Sequence, residues 1–259
     1  MSRTIHVWLA SAQHGPWARA RQHLLNAPER ARLAALGQTG HDGGQAYLLS
    51  RVLRRVAVSA LTGVPPEAWS FGPNALGQPV PQLPPAWGTP PGCTNLGVSL
   101  AHCQDTVVVA VGEGGALGVD IEHAHRFGAR YERPARLAER LLTPMERQRL
   151  EALPQALRPL GFLQQWALKE AAAKALGQGL RGPWRKLAPD VAVGPIAPGA
   201  CRFAPTPLRL PQAFAQLVPA PLWCALVAPP DGSEAVVALA ASGLCAPDVR
   251  YRGLGWAVS

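Results

Sequence analysis

The sequence predicts an α+β fold made of two similar halves, residues 1–115 and 116–259, with a seam near residues 112–116. Two observations lead there. The octet Glu29-Arg30-Ala31-Arg32-Leu33-Ala34-Ala35-Leu36 is echoed by Glu146-Arg147-Gln148-Arg149-Leu150-Glu151-Ala152-Leu153, in the shared pattern E-R-x-R-L-x-A-L. Around each copy the elements follow one order: an apolar strand-like segment, the octet, a long helical pattern, a Pro/Gly-rich stretch, then two β-prone runs. A short octet is weak evidence in a chain rich in Ala, Leu and Arg. The matching order of elements makes duplication the better reading. In a pair of matched halves, the natural place for a ligand is the cleft between them.

In the first half, residues 5–10 read as a strand. Asn26, three residues before Glu29, marks a helix start for the first octet. Residues 45–61 carry the long helical pattern, and residues 98–100 and 106–111 read as strands. In the second half, residues 117–121 form the opening strand. Thr143-Pro144-Met145-Glu146 is a capping box with Pro at the first helical position. Residues 160–176 form the second long helix, and residues 222–227 and 235–240 the closing strands. The Pro-rich stretches 79–91 and 183–211 read as ordered loops or extended connectors.

Hydrophobic residues make up 48% and charged residues 16% of the 259, which excludes a disordered chain. A chain this long buries a core without disulfide staples. Its five cysteines are scattered and form no Cys-x-x-Cys pair, which argues against a disulfide framework and suits a reducing compartment. The N-terminus lacks a signal-like apolar run, and no stretch approaches the ~20 apolar residues of a membrane span. The expectation is a cytoplasmic protein with no membrane partner. The net charge of +9 draws polyanions without choosing among them. Only three of the 25 basic residues are lysines, Lys169, Lys174 and Lys186. Because the two side chains are not interchangeable, so strong a bias to Arg directs attention to the places where Lys is kept.

Gly118-Val119-Asp120-Ile121-Glu122 is the first constellation. On a strand, alternation sends Val119 and Ile121 to the core and Asp120 and Glu122 together to the other side. Two carboxylates on one face suit a hard cation such as Mg²⁺ or Mn²⁺. Taken alone, they equally describe an ordinary polar strand face. His123 and His125 follow and suggest zinc, although an H-x-H pair beside carboxylates reads more readily as a surface turn. The second constellation is Trp166-Ala167-Leu168-Lys169-Glu170-Ala171-Ala172-Ala173-Lys174-Ala175-Leu176-Gly177, a strong helix by propensity. Trp166, Glu170, Lys174 and Gly177 share one side of it, with Lys169 flanking. A Glu170–Lys174 pair on an exposed helix explains neither the Trp nor the Gly on that stripe. Two strand carboxylates and one helix glutamate would supply three oxygen ligands to Mg²⁺, with Lys174 beside them to neutralise a leaving phosphate.

G-x-D-x-E followed some fifty residues later by W-x-x-K-E-A-x-x-K resembles the signature of the Sfp-type phosphopantetheinyl transferases, of the holo-acyl-carrier-protein synthase superfamily. That family is similarly built as a pseudo-dimer of two α+β halves. The resemblance runs from about residue 26 to residue 180 and thins in the Pro-rich C-terminal third. It is looser elsewhere. Ser99-Leu100-Ala101-His102-Cys103 occupies the place of the family's S-H-S element, whose histidine contacts the 3′-phosphate region of coenzyme A; Ala101 and Cys103 replace the serines. Gly77-Gln78-Pro79 stands where the family commonly has G-K-P, so Gln78 loses a cationic contact but keeps an amide donor. Arg30 and Arg32 fall where the family places basic residues for the cofactor phosphate, with Arg32 the favoured one. Arg51 and Arg55 match an R-x-x-x-R pattern that structural salt bridges explain equally well.

The resemblance implies a monomeric enzyme that moves the 4′-phosphopantetheine arm of coenzyme A onto a serine of an acyl or peptidyl carrier protein and releases 3′,5′-ADP. Mg²⁺ or Mn²⁺ would be held by Asp120, Glu122 and Glu170. Glu170 would take the serine proton and Lys174 would serve the leaving group. Arg32, Gly77, Gln78, Ser99, His102, Lys169 and Lys174 would bind the cofactor. A basic surface would steer an acidic carrier protein. Three rival readings stand beside this one: a nucleic-acid-binding protein, disfavoured by the absence of basic–aromatic interleaving; a relative that binds coenzyme A or carrier protein without turnover; and a zinc hydrolase using His123 and His125.

Overall fold

The computed structural model describes residues 3–38, 43–74, 78–88, 96–123, 132–177, 184–218 and 220–254. In chain order its elements are β1 (Thr4–Ala10), α1 (Gly15–Ala20), α2 (Ala27–Gln38), α3 (Gly43–Thr62), β2 (Ser70–Pro73), β3 (Pro79–Gln82), β4 (Leu96–Cys103) and β5 (Thr106–Glu113). There follow β6 (Leu117–His123), α4 (Glu132–Leu141), α5 (Pro144–Glu151), α6 (Arg158–Ala175), β7 (Cys201–Phe203), α7 (Gln212–Ala215), β8 (Leu222–Val227), β9 (Ala235–Ser242) and β10 (Asp248–Arg252). Mixed sheets and helices give the α+β class that the pattern predicts. No helix among the described residues is long and apolar enough to cross a membrane. Two units emerge: Thr4–Gly114 with the chain from Arg250 onward, and Gly115–Val249 with the first residues.

In the first unit the sheet runs in the order β10-β1-β5-β4. Alternation along β5 turns Val107, Val109 and Val111 to one face, where they meet Trp8 and the apolar stripe of α3, Leu49, Val52, Leu53 and Val56. Burial of each such side chain is worth roughly 1.5–3 kcal/mol. β4 and β5 form a tight hairpin, Cys103 opposite Thr106, with Gln104 at a φ of 54° in the turn. β4 therefore extends past the expected residues 98–100, because its pairing with β5 carries polar as well as apolar positions into the ladder. β3 of the β2–β3 hairpin lies in the stretch 79–91, expected as ordered loop or extended connector. Pro79 and Pro81 are tolerated in it because the ribbon has only two strands, both of them edges.

In the second unit the sheet order is β6-β9-β8-β7. The face that carries Leu222, Cys224, Leu226, Val236, Ala238 and Ala240 packs against Leu163, Ala167, Ala171 and Ala175 of α6. Both sheets share one pairing scheme. The opening strand (β1 or β6) lies antiparallel to the second strand of the closing hairpin (β5 or β9), and the first hairpin strand (β4 or β8) follows.

The repeated octet does the same work in each unit. Asn26 and Glu29 cap α2 reciprocally, the Glu29 N–H donating to Asn26 Oδ1 at 2.9 Å and the Asn26 N–H to Glu29 Oε2 at 3.1 Å. Thr143 and Glu146 cap α5 in the same manner. Each capping glutamate is buried and also holds a cation from the following long helix. Glu29 accepts from Arg54 and from Arg55, the latter at 2.8 Å; Glu146 pairs with Lys169 at 2.9 Å.

Candidate active site

Gly118 sets the geometry of the site. A Cβ at this position would lie 1.9 Å from the Ala171 carbonyl oxygen and 2.6 Å from the Ala175 nitrogen, both in the backbone of α6. Only glycine lets the helix come this close to the strand. Because Gly118, Asp120 and Glu122 share a face of β6, that approach aims both carboxylates at α6. This corrects the expected placement. The carboxylate face looks into the layer between sheet and helix, and Val119 and Ile121, on the opposite face, are buried too. A strand buried on both faces carries no solvent-facing polar side, so alternation alone could not tell which face meets the helix.

Asp120 is buried, and its Oδ1 accepts from the Lys174 ammonium at 2.6 Å; the same ammonium donates to the Val119 carbonyl at 3.1 Å. Glu122 is buried as well, and its Oε1 accepts from the Trp166 indole N–H at 2.9 Å. Trp166 and Lys174, two turns apart on α6, thus reach the two carboxylates two residues apart on β6. That pairing accounts for the Trp166–Glu170–Lys174 stripe. Gly177, on the same stripe, has a φ of 67° and donates its N–H to the Lys174 carbonyl at 3.0 Å, a helix-ending role that favours glycine.

Burial raises the Asp120 carboxyl to about 7. Lys174 opposes that rise, and the negative charges of Glu122 and Glu170 add to it. Glu170, half-buried midway along the stripe, is also raised, by burial first and Glu122 second, with Lys174 pulling the other way. Three carboxylates therefore lie within electrostatic reach of one another around a single ammonium. As they stand, no three His, Cys, Asp or Glu side chains among the described residues are grouped closely enough to hold a metal ion. Lys174 holds Asp120, and Trp166 holds Glu122 two turns earlier on α6. His123 is half-buried at the end of β6, and His125 lies outside the described residues.

Lys169 differs from the expectation. It is fully buried, and its three ammonium donors go to Glu146 Oε2 at 2.9 Å, the Arg185 carbonyl at 3.0 Å and the Leu187 carbonyl at 2.5 Å. An ammonium has three protons, so none is left for a cofactor phosphate. Its position beside Glu170 carries it to the adjacent side of the helix, toward α5. Glu146 is the partner the sequence reading missed; its equivalence to Glu29 in the repeated octet was the available signal.

The other expected cofactor residues belong to the first unit. Arg32 is exposed on α2, and Arg30 donates to the Leu25 carbonyl. Gly77 lies outside the described residues. Gln78 is held by Asn74, whose side-chain NH₂ donates to Gln78 Oε1 at 2.9 Å and whose Oδ1 accepts the Gln78 N–H at 2.9 Å. Ser99 is buried and His102 exposed on β4; three residues apart on a strand, they face opposite sides of the sheet. Arg55 is buried, bonded to Glu29 and to the Trp69 carbonyl, which gives it a structural role. Arg51 stacks over the Tyr47 ring at 4.6 Å.

Residues 116–209, which include β6 and α6, match the family model of the 4′-phosphopantetheinyl transferase superfamily. The chain is 28% identical over 215 residues to the 4′-phosphopantetheinyl transferase HetI of Nostoc sp., covering 81% of this chain and 72% of the relative. It is 28% identical over 186 residues to a putative 4′-phosphopantetheinyl transferase of Synechocystis sp., covering 71% and 69%. A 64-residue stretch is 39% identical to the holo-[acyl-carrier-protein] synthase of Streptococcus agalactiae, covering 24% of this chain and 54% of that one. The segment that joins the carboxylate strand to the Trp-Lys helix is the segment the family model of the 4′-phosphopantetheinyl transferase superfamily matches, and the two longer likenesses to such transferases run through both halves of this chain.

Proposed function

We propose that this protein transfers the 4′-phosphopantetheine group of coenzyme A to a serine hydroxyl of an acyl or peptidyl carrier protein, with Mg²⁺ or Mn²⁺, and releases 3′,5′-ADP. The observation that carries the proposal is the set Asp120, Glu122, Glu170 and Lys174, held on two elements that Gly118 brings into backbone contact.

In chemical type the donor set suits a hard divalent cation, and Asp120, Glu122 and Glu170 would have to close on one another to hold it. All three acidic groups offer carboxylate oxygens, two of them are buried, and burial first, with the charges of Glu122 and Glu170 second, lifts Asp120 against a single neutralising ammonium. Asp120, Glu122 and Glu170 would hold the ion. A divalent cation held there would supply charge neutralisation for the coenzyme A diphosphate and the departing nucleotide.

The remaining chemistry falls to this chain's own side chains. Glu170 takes the proton of the carrier serine, and its raised carboxyl brings it nearer the working pH than an ordinary glutamate. The serine oxygen attacks the phosphorus that bears pantetheine, a new P–O bond forms, and the bond to 3′,5′-ADP breaks. Lys174 donates to the oxygen that leaves. Trp166, a neutral donor, orients Glu122 without discharging it. Arg32, Gln78 and His102 are carried as contacts to the nucleotide end of coenzyme A. The common pairing scheme of the two sheets supports a duplicated, pseudo-dimeric architecture in one chain. A net charge of +9 supports an acidic carrier protein as partner, by long-range attraction that added salt weakens.

The test is incubation with Mg²⁺, coenzyme A and apo carrier protein, followed by mass spectrometry of the carrier. The expected result is a phosphopantetheine mass increment on one serine, lost in Asp120→Ala, Glu170→Ala and Lys174→Ala while their circular dichroism stays native. Normal turnover by Glu170→Ala removes the base assignment. No increment on fatty-acid, polyketide or peptide carriers overturns the proposal.

A further inference from the structure

We propose that Lys174 is the resting counter-ion of the cation site: its ammonium neutralises Asp120 while no divalent cation is bound, and binding of the cation displaces it toward the substrate phosphates. This inference rests on the reading of Asp120 as a cation ligand.

Three observations carry it. The Lys174 ammonium lies 2.6 Å from Asp120 Oδ1, a charge-assisted contact at the short end of its range. Magnesium bonds carboxylate oxygen at about 2.1 Å, so ion and ammonium on one oxygen would stand only a few ångströms apart, three positive charges in a buried layer. Repulsion between them favours the ammonium giving up that oxygen. The second observation is the Lys174 anchor: the ammonium also donates to the Val119 carbonyl at 3.1 Å, so its resting place is defined by the strand as well as by the carboxylate. The third is exposure. The Lys174 side chain is 30% exposed while that of Asp120 is 10% exposed, so the lysine has solvent to swing into and the carboxylate does not. Lys169, five residues earlier, makes the contrast: its side chain is 0% exposed and all its donors are spent inside the fold.

The exchange couples two tasks. A buried carboxylate pair without a cation is costly to keep ionised, and Lys174 relieves that cost until the metal arrives. Once displaced, the same ammonium is delivered beside the bound diphosphate, where a leaving oxygen needs it. Lys174 is then available to the phosphate only when the cation is in place.

Mn²⁺ is the probe, with the full chain, at pH 8 and without coenzyme A. Electron paramagnetic resonance of free Mn²⁺ gives the dissociation constant for wild type, Lys174→Met and Asp120→Asn. The expected result is binding that Asp120→Asn abolishes and that Lys174→Met tightens about tenfold, the scale on which one such charge contact is felt. Asp120-dependent binding that Lys174→Met leaves unchanged or weakens overturns the counter-ion inference alone. Absence of Asp120-dependent binding in wild type and Lys174→Met overturns the cation site, and the inference with it. A second measurement needs no substitution. The chain has three lysines, so the ¹³Cε–¹⁵Nζ signals are few enough to assign. Adding Mg²⁺ should move the Lys174 signal toward its solvent-exposed position and leave Lys169 in place. A Lys174 signal that Mg²⁺ does not move, under conditions where Mn²⁺ binds, overturns the exchange.

Discussion

Alanine at position 118 tests the packing that builds the site. The added methyl would sit 1.9 Å from the Ala171 carbonyl oxygen and 2.6 Å from the Ala175 nitrogen. Neither obstacle is a side chain that can rotate away; both belong to the α6 backbone, whose hydrogen bonds hold it as a unit. To reach an ordinary contact, α6 must retreat from β6 by about 1 Å or more, against close packing of Ala167, Ala171 and Ala175 on the sheet. Overpacking a filled core costs typically 1–3 kcal/mol, and a clash with main chain belongs at the upper end. At about 3 kcal/mol the thermal midpoint should fall by roughly 6–12 °C for a chain of this size. The same retreat lengthens the 2.6 Å contact between Lys174 and Asp120 beyond hydrogen-bond range. Misplacement on that scale costs about 100-fold in rate. Calorimetry of Gly118→Ala, with turnover on an apo carrier protein at a temperature where the variant is folded, measures both effects. Gly253→Ala is the control: its Cβ would enter open space, and its midpoint should match wild type. A Gly118→Ala protein with an unchanged midpoint would refute the close-approach argument.

Other expectations follow from the same network. Lys169→Met leaves the Glu146 carboxylate buried without its cation and should destabilise by about 3–5 kcal/mol, while adding Glu146→Gln should recover part of the loss in urea titrations. Glu29→Gln removes the charge that balances the buried Arg54 and Arg55, and a thermal midpoint lowered by several degrees is the expected reading; no change would make the cluster ornamental. Asp120 gives a pH signature in metal-free protein. Its folded carboxyl titrates near 7, above the ordinary range, so the folded state binds the extra proton. Its contribution to stability is complete below about pH 4 and declines as pH rises to about 7. The wild-type urea midpoint, measured against Asp120→Asn, should therefore fall across that window; a difference that rises with pH would contradict the assignment.

Local chemistry made much of this protein legible in one dimension. The capping box at Thr143–Glu146, the two long helices and the closing hairpins all follow from hydrogen-bonding rules and apolar periodicity that act within a few residues. The pairing of Asp120 with Glu122, and of Trp166 with Lys174, follows from alternation on a strand and repetition on a helix. The edge hairpin β2–β3 and the last strand β10 escaped, because their pattern is overruled by prolines in one case and rests on a partner strand at the far end of the chain in the other.

What the sequence by itself determined was which side chains share a face and which carry charge. Which face meets which was decided by tertiary structure. Only the packed layer turns the carboxylates of β6 toward α6, spends Lys169 on Glu146 and seats Lys174 on Asp120. The reason is distance. Periodicity fixes directions along one element to a fraction of a turn, but the choice between a fully buried lysine and a part-exposed one depends on groups 16 to 55 residues away, which meet only after the sheet and helix have closed to the spacing that one glycine allows.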